Sequence, residues 1–366
     1  MKRLLWRNKK GQIQGVDFAL AMIVFMIVFA EVIVLSLSFI EPKYVNLEDR
    51  AFESKADQIS DAFFSSSGYP IDWEFNYDIK FNSFGLLKYG TTELDANKIA
   101  RINPDSLYRL SYDSIRTNLS RERDFGFQLT IESLFDVDGN FSLSQPTGTI
   151  DVATSVTECD IWLFLVAPDM TVMLTQKTQT NTTGGYSTTF PTGIGPLPDG
   201  YFTLVVFAKN SDGHYAVDYT EFVVNNPLNM GLTMIVQENV NNNGLATIQA
   251  RSNGTLSALT ATMLFPYQTG EELYGNETQT INAPTNLETF NIRMPTNGTC
   301  VALVNGYTAG GGYDREIQVY PTTLSSETGT IAGSLFVPER EEIIKIEKIV
   351  VIRECIFKAV LFIWPD

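Results

Sequence analysis

Apolar and polar positions alternate with three different rhythms along this chain. Between residues 18 and 40 they hardly alternate at all: FALAMIVFMIVFAEVIVLSLSFI carries one charge, Glu31, and no Gly or Pro. At about 1.5 Å per residue, such a run predicts a helix long enough to cross a bilayer. The segment before it, residues 1–11, holds five cations and no acid, which orients that end to the cytoplasm and the rest of the chain to the exterior. After Glu41-Pro42, an expected break, a helical period returns with Leu47, Ala51, Phe52, Ala56, Ile59, Ala62 and Phe63 at three- and four-residue spacing. Turn residues at 65–70 (SSSGYP) close it.

From about residue 125 the rhythm is that of strands. Residues 125–131 predict one. Short apolar runs follow at 161–166, 171–175, 186–190, 201–209 and 215–224, separated by turn signals at 181–185, 198–200 and 210–213. This spacing predicts a β-sandwich. A second β unit is expected over 226–322, with strands at 232–237, 245–250, 259–265, 290–293, 300–304 and 315–320 and polar linkers at 239–244 and 308–312. Residues 343–364 predict a long hairpin. Asp138-Gly139 between apolar neighbours reads as a hairpin turn. A calcium loop there fails because Leu134 occupies the first ligand position. A lone strand is marginal in water. The simplest partner for 125–131 is the C-terminal hairpin, which makes the head a discontinuous unit of 44–147 plus 325–366 with both β units inserted.

Charge narrows the partners. The formal net charge is −16, and without the five leader cations 21 Lys and Arg face 42 Asp and Glu. An acidic chain lacks the basic footprint that nucleic acid requires. Cys159, Cys300 and Cys355 are too far apart in sequence, and too far from the one histidine, His214, for metal-ligand spacing, so no metal site and no cofactor is expected. One disulfide could form among them in three ways, and three free thiols fit equally well. No nucleophile motif, Walker loop or dinucleotide fingerprint occurs, and acid pairs such as Glu271-Glu272 and Glu339, Glu341 and Glu342 read as solvated faces. The expectation is a protein without catalytic residues. Six N-x-S/T sequons follow the apolar run, at Asn118, Asn140, Asn181, Asn253, Asn276 and Asn297. Asn181 and Asn253, in polar turn-like stretches, are the better glycosylation candidates.

The junction Lys9-Lys10-Gly11-Gln12, followed by Asp17 and the long apolar run, resembles the class III signal peptide of archaeal type IV pilin-like proteins. The resemblance implies cleavage between Gly11 and Gln12 by a prepilin peptidase, with Lys9 and Lys10 as leader charges. Asp17 then stands sixth in the mature chain, one place past the acid many pilins carry. Gly68-Tyr69-Pro70-Ile71-Asp72-Trp73, Phe84-Gly85-Leu86-Leu87, Leu94 to Ile99 and Tyr108 are similar, in that order, to the head of larger members of that family. The stretch from Gly185-Tyr186 through Asp199-Gly200-Tyr201 to Phe222-Val223-Val224 is similar to extracellular immunoglobulin-like modules.

Together these imply an α+β chain: a cleaved leader (1–11), a transmembrane and filament-core helix (12–40), a pilin-like head (41–147), an immunoglobulin-like sandwich (148–225), a second β domain (226–322) and a C-terminal hairpin returning to the head (323–366). The implied role is a minor or tip subunit of a type IV-like pilus in adhesion or surface contact. It would be single-pass in the cell membrane before assembly and in an extracellular filament after. Its partners would be the peptidase, other pilins through the N-terminal helix with Asp17 and Glu31, membrane lipid, and glycans or cell surfaces. A surface protein anchored by the same helix without assembling is the alternative, and a secreted protein cut near Ser38 a third.

Overall fold

The computed structural model describes residues 5–366 apart from 78–81, 121–123, 144–146, 193–196, 226–229, 240–243, 267–274, 283, 322–331 and 340–341. The chain divides into two compact units, Met1–Gln58 and Ile59–Asp366. Helix α1 (Leu5–Ser65) runs without interruption through Glu41-Pro42. The break expected there is absent: a proline removes one backbone donor, and the turns around it hold.

The larger unit overturns the expected fold class. The protein is not an α+β molecule led by a membrane helix. Five β-sheets make up most of it, and among the described residues no helix is long and apolar enough to cross a membrane. The single-pass reading therefore has no helix to rest on among the described residues.

Within the larger unit the last turns of α1 enter an aromatic core. Phe63 packs edge-on to Phe84 (5.0 Å between ring centroids) and lies 5.3 Å from Phe127. Trp73 follows, with Nε1 donating to Gly85 O at 3.2 Å. Helix α2 (Ala96–Ile102) starts where the Asp95 side chain accepts from Asn97 N, and α3 (Tyr112–Leu119) where Ser111 accepts from Ser114 N. Strand β1 (Phe125–Ser133) then leads into two stacked sandwiches.

The first sandwich contains β2 (Val137–Ser142), β3 (Thr147–Thr154), β4 (Asp160–Val166), β5 (Val172–Gln179), β6 (Gly185–Pro191), β7 (Gly200–Lys209) and β8 (Tyr215–Val224). Its sheets are ordered β2-β3-β6 and β5-β4-β7-β8. The second contains β9 (Thr233–Glu238), β10 (Leu245–Leu256), β11 (Ala258–Phe265), β12 (Gly275–Ile281), β13 (Thr285–Arg293), β14 (Cys300–Tyr307) and β15 (Tyr313–Tyr320), ordered β13-β10-β9 and β12-β11-β14-β15. The chain ends with β16 (Ala332–Gly333), β17 (Ile344–Ile352) and β18 (Cys355–Pro365). These join β1 in the order β16-β1-β18-β17, so strands far apart in sequence share a sheet, Phe125 opposite Pro365 and Ser133 opposite Phe357.

Alternation along β4 shows how the sandwiches stack. Ile161, Leu163 and Leu165 point into the first sandwich with Ile150, Val152, Phe190, Leu204 and Val206. Trp162, Phe164 and Val166 point the other way and pack with Leu264, Val301, Leu303 and Val319 of the second. The two four-stranded sheets thus lie back to back, and β4 and β7 are buried on both faces.

Asp138-Gly139 is not a hairpin turn. It lies within β2, with Gly139 opposite Val152 of β3. A Cβ on Gly139 would come within 2.5 Å of Val206 Cγ2, and Gly139 N donates to Asp218 Oδ2 at 2.8 Å. The glycine serves close approach between the two sheets rather than a turn.

Candidate functional site

The residues singled out in the sequence are scattered. Lys9, Lys10, Gly11, Gln12 and Asp17 all lie in α1. Glu31 is exposed on the same helix among exposed apolar neighbours: Phe18 is 70% exposed, Phe25 64% and Ile33 44%. Phe25 and Phe29 stack at 5.9 Å on this surface. Residues 1–4 of the leader, Glu271, Glu272, Glu341, the 325–330 segment and most of the 239–244 linker lie outside the described residues.

Among the sequons, Asn181 is exposed in the turn between β5 and β6. Its Oδ1 accepts from Thr183 N, Thr183 Oγ1 and Gly185 N, which holds the amide at the tip. Asn140 in β2, Asn253 in β10 and Asn297 before β14 are exposed as well. Asn253 is therefore a strand residue, not part of the turn that its polar surroundings predict. Asn276 is in β12. Asn118 is half-buried in α3, with Nδ2 already donating to Ser114 O at 2.7 Å. All three cysteines are free and buried, and burial pushes the Cys300 thiol up to about 11.

The structure gathers a polar site from stretches that the sequence marked only as parts of the head, Ile71 to Trp73 and Leu94 to Ile99 among them. Helix α2 is buried over its whole length, including Lys98 and Arg101. Lys98 Nζ donates to Ser67 O (2.8 Å) and Leu87 O (3.1 Å) and stands 3.9 Å from Glu74 Oε2. Arg101 donates through Nε to Tyr108 O and through Nη1 to Glu74 O, and lies 4.8 Å over the Tyr77 ring. Asn97 reaches the second sandwich: its Oδ1 accepts from Glu238 N and Tyr320 Oη, both at 2.7 Å. Gln237 accepts from Tyr77 Oη at 2.6 Å and donates to Glu74 O at 3.1 Å.

Beside this network opens a cavity of about 890 Å³ between α2, the Trp73–Phe75 turn and strands β9 and β10. Asp72, Glu74, Glu93, Asp95 and Glu238 line it, with Lys88 and Arg353 the cations on the described lining. Glu74 is only 4% exposed, and its Oε2 accepts no hydrogen bond. Burial, reinforced by Asp95, pushes its carboxyl up to about 7. Burial also raises Asp95 and lowers Lys98. The signal that could have pointed here is the run of acids Glu93 and Asp95 followed by Asn97, Lys98 and Arg101 on a short helix with apolar neighbours Ile99, Ala100 and Ile102; nothing in the spacing tied it to Glu74 or Glu238.

No family model and no curated protein matches the chain. Among solved structures, a two-domain fibronectin type III segment of chicken tenascin is 10% identical, covering 52% of this chain and 98% of that one, at a TM-score of 0.18. A tetra-tandem repeat from the extending region of a large adhesion protein is 10% identical over 60% of this chain and 52% of that one, at 0.23. An Escherichia coli alpha-2-macroglobulin activated by porcine elastase is 9% identical over 51% of this chain, at 0.20, and the match spans about a quarter of that protein. Likenesses of this order carry no argument about function.

Proposed function

We propose that this chain is a non-catalytic subunit of an archaeal type IV-like surface filament, with its stacked β-sandwiches making the outward contacts. The observation that carries the reading is the apolar surface of α1. Large side chains from Phe18 to Ile33 stand exposed on it, too many and too contiguous to be left to water. Copies of the same helix, packed side by side, would cover them, and Glu31 would then face a neighbouring subunit rather than solvent. Lys9-Lys10-Gly11-Gln12 supports the same reading as the processing signal of that assembly. The sandwiches bring no motif for catalysis and carry exposed sequons at Asn140, Asn181 and Asn253, which suits a part of the chain that faces outward.

The test is the amino terminus of the protein taken from the surface of its own cells. Gln12 as first residue is expected, with Gly11→Leu blocking processing and filament incorporation together. A wild-type protein whose terminus is not Gln12, or a Gly11→Leu variant that is processed and incorporated normally, would overturn the proposal.

A further inference from the structure

We infer that Lys98 and Glu74 condense into an amide between Nζ and Cδ, a covalent cross-link inside the head that does not depend on assembly through α1. The inference starts from how Lys98 uses its donors. Nζ donates to Ser67 O at 2.8 Å and to Leu87 O at 3.1 Å. A neutral amine has two N–H groups and a lone pair, so those contacts leave only the lone pair. Glu74 Oε2 stands 3.9 Å away, too long for a hydrogen bond, and accepts none from any described group. An ammonium in this place would leave its third N–H and a buried carboxylate oxygen unmatched, which costs more than a made bond gains. A neutral amine beside a neutral carboxyl fits the spacing.

The surroundings favour those neutral forms. The two side chains are 1% and 5% exposed, and the centroid of the Trp73 ring lies 6.0 Å from Nζ. Burial lowers the Lys98 amine, while burial reinforced by Asp95 raises the Glu74 carboxyl to about 7. As an ion pair, each partner would carry a desolvation cost that attraction across 3.9 Å offsets poorly. Condensation removes both charges from the interior and puts one neutral amide in their place.

The step balances without an oxidant or a co-reactant. The Nζ lone pair adds to Cδ of the neutral carboxyl and forms the C–N bond. One C–O bond breaks, and the departing hydroxyl takes up an amine proton and leaves as water. The amide keeps the other N–H. The Trp73–Phe75 turn carries Glu74 and α2 carries Lys98, and the fold holds them side by side, so the reaction is unimolecular. Glu74 Oε2 is closed to solvent, and the reverse reaction therefore lacks its water. Glu74 titrates as an acid only until the bond forms.

Peptide mapping of the full chain tests the cross-link. The folded protein is denatured, digested with trypsin and weighed by mass spectrometry. An unmodified chain yields peptide 56–80, which carries Glu74, and peptide 89–98, which ends at Lys98. Trypsin does not cut after an amidated lysine, so the expected product is 56–80 joined to 89–101, one water lighter than the two together. Fragmentation is expected to place the link at Glu74 and not at Asp72 or Asp78. A chain purified in urea and never folded is expected to give the two peptides separately. Lys98→Arg, which keeps donors for Ser67 O and Leu87 O but offers no neutral amine, is expected to lose the joined product completely, as is Glu74→Ala. Separate peptides of ordinary mass from the folded wild-type chain would overturn the inference, whether or not either variant folds. A link at another acid, or a joined product equally abundant in the chain that never folded, would overturn it too. Neither result bears on whether Gln12 is the first residue.

Discussion

At the scale of single residues, environment decides what a side chain does, and composition hides it. Asn118 and Asn181 satisfy the same sequon rule, yet one amide is bonded into a helix and the other stands at a turn tip. Gly139 shows the same gap. Asp-Gly is a strong turn signal when strands flank it, but here it packs under Val206, and the glycine is the spacer that lets β2 approach β7. Only the partner sheet reveals which role applies. Gly139→Ala is expected to lower unfolding free energy by about 1–3 kcal/mol through overpacking. Urea denaturation measures it, and Val206→Ala in the same chain should recover part of the loss. If Gly139→Ala unfolds at the wild-type urea midpoint, the two sheets do not depend on that close approach.

At the scale of elements, legibility follows burial. The runs IWLFLV in β4 and YFTLVVFAK in β7 are continuous rather than alternating because both faces are covered, and continuous apolar runs with turns at each end are easy to read as strands. β2, β3 and β12 left no such trace. β12 is an edge strand of Asn, Glu, Thr and Gln that pairs through hydroxyls, Thr260 with Thr280 and Thr262 with Thr278. A polar edge strand of this kind looks like a loop in sequence. Pro42 misleads for the opposite reason: its local signal for a break is strong, yet the helical turns on either side carry α1 through it.

Arg315 of β15 shows what joins the stacked sheets besides apolar contact. It is buried and donates to Asn305 Oδ1 (2.6 Å), Thr203 Oγ1 (2.6 Å) and Ala167 O (3.0 Å), bridging both sandwiches. Burial lowers its guanidinium to about 10, so it remains charged at neutral pH. Arg315→Leu strands three acceptors in a dry interface and is expected to cost about 3 kcal/mol or more. A thermal melt should fall by several degrees and lose cooperativity between the sandwiches. A melt unchanged within a degree would mean that the apolar contacts of Trp162, Phe164 and Leu303 hold the stack alone.

At the scale of the whole larger unit, the head and both sandwiches meet at Glu316. Its carboxyl is pushed up to about 8 by burial first, then by Asp105 after α2, by Asp314 of its own strand and by Glu221 of β8. Glu221 is itself raised by burial, and Tyr219 goes up to about 12 for the same reason with Glu316 nearby. A carboxyl whose folded value lies above its unfolded one near 4.5 favours the folded state while protonated. Its contribution is therefore full below about pH 4.5, shrinks as pH rises and is gone above about pH 8. Glu74, raised to about 7, acts in the same direction over the lower part of that window. Glu316→Gln fixes the neutral form. Its urea midpoint is expected to match wild type near pH 4.5 and to exceed it at pH 8.5, by an amount on the order of 2–4 kcal/mol. Taking the difference between wild type and variant at each pH cancels the carboxylates elsewhere, including Glu347, which Lys345 and Lys358 lower. A difference that stays the same at pH 4.5 and 8.5 would show that Glu316 titrates as an ordinary surface acid, and that the junction of head and sandwiches is open to water.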